Sequence, residues 1–78
     1  MRKITRKVAE ADKKEIPALI RQEALIFIKN SQTPEEGLRL LPGWVAGIKF
    51  ELQALNFDKY KNIEASLKEG VKLISNDL

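Results

Sequence analysis

The side chains able to do chemistry are few, and their spacing does not gather them. The chain has no Cys and no His, which removes the thiolate and imidazole nucleophiles and bases as well as the usual nitrogen and sulfur ligands of a zinc site. No Ser stands in a G-x-S-x-G elbow, and neither G-x-G-x-x-G nor a P-loop spacing occurs. The adjacent carboxylates Glu35 and Glu36 follow Thr33-Pro34. That places them in the first turn of a helix, where the dipole alone favours negative charge and no further ligand is in local reach. The sequence therefore reads as non-enzymatic, without catalytic, cofactor-binding or metal-binding residues and without a small-molecule substrate.

What remains is binding. The stretch Leu41 to Phe57, L-P-G-W-V-A-G-I-K-F-E-L-Q-A-L-N-F, holds the only Trp, two of the three Phe and the densest apolar content. Trp44 falls at a junction between helices, where it either plugs the end of the core or stands at a contact surface. A chain this short, with wide apolar stripes on either side of this stretch, has more apolar surface than one protomer covers. The expectation is a homodimer or a tight protein complex with Leu41, Trp44 and Phe57 near its edge.

Charge points to a second kind of partner. Residues 1–14 carry Arg2, Lys3, Arg6, Lys7, Lys13 and Lys14 against Glu10 and Asp12, net +4, while the remainder has eight basic and nine acidic residues, net −1. The formal charge of +3 thus belongs to the amino-terminal arm. An alternative function follows: nucleic-acid binding with those six cations as an electrostatic clamp.

The elements that position these residues read as helices. At 78 residues, 44% hydrophobic and 32% charged, the chain suits one soluble domain with a small core. The division expected is a basic arm or helix over 1–14 and a single helical domain over 15–78. In the arm, Arg6, Glu10 and Lys14 take the i, i+4, i+8 spacing of a helix, and Ile4, Val8 and Ala11 share a thin apolar face. Pro17 fits the first turn of a second helix whose apolar positions are Ile16, Leu19, Ile20, Ala24, Phe27 and Ile28, with Leu25 and Ile26 widening the stripe. Asn30 fits a left-handed cap.

Thr33-Pro34-Glu35-Glu36 is a capping box that opens a third helix, and Pro42-Gly43 predicts its end after one or two turns. Residues 45–54 alternate as a strand would, with Ile48, Phe50, Leu52 and Ala54 against Lys49, Glu51 and Gln53. They also form a helical face through Ile48, Leu52 and Leu55, and no second strand exists to pair with. A helix from about Gly43 to Leu55 is predicted, with Gly43 and Gly47 permitting close helix packing. Asn56-Phe57-Asp58 reads as a turn, Asn56 as a left-handed cap and Asp58 as N-cap of the last helix. That helix has one stripe, Tyr60, Ile63, Leu67, Val71 and Ile74, with Glu64 and Lys68 paired outside and Gly70 allowing close packing.

Leu52 to Ile63 resembles a helix-turn-helix unit in its Leu-Asn-Phe-Asp turn, but the apolar position expected four residues after Asp58 is Asn62. No apolar run is long enough to span a bilayer; the longest, Ala24 to Ile28, is far below the ~18 residues needed. The start M-R-K-I-T-R-K meets Glu10, Asp12 and Lys13-Lys14 where a signal peptide would be apolar, so a cytoplasmic protein is expected. The reading is an all-α bundle of three to four helices with a C-terminal antiparallel helical hairpin. Its role is that of a small protein-binding adaptor, of a size typical of phage or mobile-element accessory proteins.

Overall fold

The computed structural model describes residues 2–77. Helix α1 runs Lys3–Glu10, a 3-10 turn Lys13–Glu15 follows, and helices α2 (Ile16–Lys29), α3 (Pro34–Leu55) and α4 (Phe57–Asp77) complete an all-α bundle. Ala11 and Asp12 are extended, with ψ of 154° and 145°, which ends α1 and takes Lys14 off the helical spacing from Arg6. Pro17 lies in the first turn of α2, where its missing N–H costs nothing. Thr33 Oγ1 accepts the Glu36 N–H at 3.1 Å and Pro34 opens α3, so the N-cap forms as its sequence predicts, while the Glu36 carboxylate lies 3.6 Å from Arg39.

Residues 45–54 are helix, which settles the two periods in favour of the one that satisfies its backbone internally. The predicted stop at Pro42-Gly43 is corrected: α3 is a single helix of 22 residues with Pro42 inside it. A proline there withholds one N–H and crowds the carbonyl four residues back, at a cost of ~3 kcal/mol. Leu38 and Pro42 are both exposed, which leaves the deprived carbonyl near solvent. Offsetting the cost, Leu41, Ile48 and Leu52 are all buried on one face only if the helix continues in register across the proline.

Both asparagine caps also differ from expectation, since no described residue has a positive φ. Asn30 stays right-handed helical at φ −85°, ψ −5°, and Asn56 is extended. Asn56 Oδ1 accepts the Lys59 N–H at 3.1 Å. The side chain that caps α4 is therefore Asn56, and Asp58 sits in the first turn.

With only Asn56 between them, α3 and α4 fold back as an antiparallel hairpin. Leu52 and Leu55 lie near Lys59 and Tyr60, while Leu41 and Val45 lie near Lys68 and Val71. The predicted stripe of α4 is the one that is buried: Tyr60, Ile63, Leu67 and Ile74 lie in the core and Val71 packs against it. Helix α2 contributes Ile16, Ile20, Ala24 and Ile28, but Ile26 is exposed, so the widened stripe is only partly covered. A Cβ on Gly70 would stand 2.8 Å from Ile20 Cβ and 3.0 Å from the Pro17 carbonyl oxygen, so α2 and α4 meet at that glycine. Helix α1 joins the same core through Ile4 and Val8, with Thr5 fully buried between them.

Candidate functional site

The basic arm is tied down by carboxylates from two other helices. Glu51 Oε1 on α3 accepts the Arg2 backbone N–H at 3.1 Å and the Thr5 hydroxyl at 2.7 Å, and its Oε2 lies 2.8 Å from Arg2 Nη1. Helix α1 has no acidic residue in its own first turn and no side-chain cap. Glu51 therefore supplies from α3 the negative charge that a helix N-terminus favours. The Thr5 hydroxyl bond and the Arg2 N–H bond hold the Glu51 carboxyl below its ordinary value. On the other side, Lys7 Nζ lies 3.0 Å from Glu23 Oε1 of α2.

Arg2 reaches Glu51 by lying across Gly47, where a Cβ would be 2.7 Å from Nη2 and 2.9 Å from Cζ. Gly47 thus makes room for an arginine rather than for a neighbouring helix, and Gly43 has no atom near its Cβ position. The G-x-x-x-G spacing has no packing role here. Of the six cations predicted to bind nucleic acid, Arg2 and Lys7 are engaged in these pairs, while Lys3, Arg6, Lys13 and Lys14 remain exposed.

The residues expected at a partner surface are not brought together. Leu41 is 7% exposed and belongs to the core. Trp44 is half-buried and stacks on Phe27 of α2, ring centroids 5.6 Å apart and planes at 28°. Phe57 is 53% exposed, with Tyr60 6.4 Å away and the Lys61 ammonium 5.5 Å from its centroid. Trp44 and the end of α3 beside Phe57 are separated by about 17 Å of helical rise. Glu35 and Glu36 stay in the first turn of α3, and no group of acidic residues among those described could hold a metal ion.

Two features are visible only in three dimensions. Phe50 is 74% exposed, on the face of α3 opposite Ile48 and Leu52. Beside that face a groove of about 490 Å³ runs between α3 and α4. Its walls are Leu38, Leu41, Pro42, Val45, Ala46 and Lys49 from α3, with Lys68 and Val71 from α4. The spacing of Leu38, Pro42, Val45 and Lys49 at four, three and four residues was the available signal, hidden by the expectation of a break at Pro42. The arrangement has apolar walls and two ammonium groups, suited to holding an amphipathic surface. No helix among the described residues is long and apolar enough to cross a membrane. Comparison with protein-family models, curated proteins and solved structures returned no match.

Proposed function

We propose that this protein is a small non-enzymatic helical binding protein that acts through protein–protein contacts along α3. The observation that carries the reading is where apolar surface is left uncovered. Among the described residues, the exposed large apolar side chains are Leu38, Leu40, Phe50 and Leu55 on α3, Phe57 just beyond it, and Ile26 on α2. Single exposed apolar residues are ordinary; what points to a contact surface is that Leu38 lines the apolar groove and Phe50 stands on the adjoining face of α3, whereas Leu40 and Leu55 fall on other faces of the helix.

The test is affinity capture from the native host with the wild type and with Leu38→Glu and Phe50→Glu in parallel, followed by mass spectrometry. The expected result is a protein that is retained by the wild type and lost with at least one variant, while circular dichroism shows each variant folded. Equal capture by all three would overturn the reading. The nucleic-acid alternative is supported only by the exposed Lys3, Arg6, Lys13 and Lys14. It requires binding that weakens steeply with salt.

A further inference from the structure

We infer that the groove between α3 and α4 is a receptor for an amphipathic helix of a partner protein, with acidic residues flanking its apolar anchors. This rests on the protein-binding reading and assigns it a place and a ligand chemistry. The floor and walls are apolar, through Leu38, Leu41, Pro42, Val45, Ala46 and Val71, and the polar groups at the groove are Lys49 and Lys68 with no acidic residue lining it. Lys49 is half-buried, and the Lys68 side chain is 63% exposed, 3.6 Å from Glu64. An occupant that places a carboxylate near both ammonium groups gains by charge complementarity, and a basic one is repelled.

The walls also decide the conformation of the occupant. Both are helices whose backbone groups are used internally, so the groove offers no sheet edge to an extended peptide. A chain entering an apolar groove must then satisfy its own backbone, and a helix does so. The exception is the Leu38 carbonyl, which loses its partner four residues on because Pro42 has no N–H. From Leu38 to Lys49 the α3 wall measures about 17 Å, three helical turns, which fits anchors at i, i+4 and i+7. A flexible acyl carboxylate would share the charge preference, but this groove is open along one side and would leave much of such a chain in water.

The experiment is selection of a random peptide display library on the full-length protein, with direct binding of the enriched peptides measured by fluorescence anisotropy. The same selection is run on the double variant Lys49→Glu/Lys68→Glu, and affinities are also measured against Leu38→Glu, each variant first shown folded by circular dichroism. The expected outcome is peptides with apolar residues at i, i+4 and i+7 flanked by Asp or Glu, which turn helical on binding and bind at least tenfold more weakly to both variants. The double variant should select Lys- or Arg-flanked peptides instead. No enrichment, enriched peptides without acidic flanks, or affinities unchanged in both variants overturn the proposal. So does saturable binding of dodecanoate that displaces the peptides, which assigns the groove to an acyl chain. Sedimentation showing a homodimer that Leu38→Glu abolishes assigns it to a second copy. Host-protein capture lost with Phe50→Glu but normal with the groove variants removes the groove assignment and leaves the protein-binding reading standing; capture unchanged in every α3 variant removes both.

Discussion

Replacing Gly43 and Gly70 by alanine, one at a time, makes the same chemical change inside two helices and meets opposite surroundings. In a helix interior, glycine is less favourable than alanine by about 1 kcal/mol, so each substitution begins with that gain. At Gly43 nothing lies within 4 Å of the added Cβ, and the gain should appear in full. It corresponds to a rise in Tm of about 4–8 °C for a domain of this size. At Gly70 the Cβ meets Ile20 Cβ at 2.8 Å, Ile20 Cγ2 at 3.0 Å and the Pro17 carbonyl oxygen at 3.0 Å. Neither a backbone carbonyl nor the branch point of a fully packed isoleucine can swing aside, so α2 and α4 must separate. Overpacking of this kind costs about 1–3 kcal/mol, which leaves a net loss of up to ~2 kcal/mol after the propensity gain.

The assay is urea unfolding followed by circular dichroism and by Trp44 fluorescence, with the two variants differing in stability by about 1–3 kcal/mol. Two results refute the reasoning. Equal stabilisation by both alanines would mean that α2 and α4 do not meet at residue 70. Destabilisation by Gly43→Ala would mean that the chain turns there in a conformation only glycine tolerates, and that α3 does not run through Pro42.

Two further outcomes follow from the amino-terminal helix. Deleting residues 1–14 removes Ile4 and Val8, which are 6% and 0% exposed; at about 1.5–3 kcal/mol each this rivals the ~5 kcal/mol at the low end for whole domains, so the truncated chain should lose its cooperative unfolding transition. An unchanged urea midpoint would show that the arm is dispensable. Glu51→Gln tests the carboxylate that holds Arg2 and Thr5: because the folded carboxyl is held below its ordinary value, its contribution is complete above about pH 4.3 and is lost as pH falls through the lower folded value. The gap in urea midpoint between wild type and variant should therefore be largest near neutrality and close on acidification, and a gap independent of pH would refute the assignment.

The sequence by itself determined what is local. Thr33 and Pro34 open a helix because the groups they satisfy or spare lie within one turn, and the Tyr60 to Ile74 stripe shows its buried face because its spacing is the helical period. The absence of any second strand candidate favoured helix over residues 45–54, since an isolated strand leaves its backbone unpaired, and the structure settled it. Tertiary structure decided wherever a local cost is outweighed by distant contacts. Pro42 reads as a stop because its penalty is local, whereas the burial of Leu41 with Ile48 and Leu52 that carries the helix through it depends on α2 and α4. The same holds for Asn56, whose role as an extended cap is set by how closely α4 must turn back on α3. Arg2 and Thr5 are each more than forty residues from Glu51 in the chain, and no spacing rule joins an exposed arginine to a glutamate on another helix across a glycine. The groove is of this kind too: Lys49 and Lys68 reach its lining only because the hairpin lays α4 beside α3, and the exposure of Phe50 follows from which face of α3 the other helices leave uncovered.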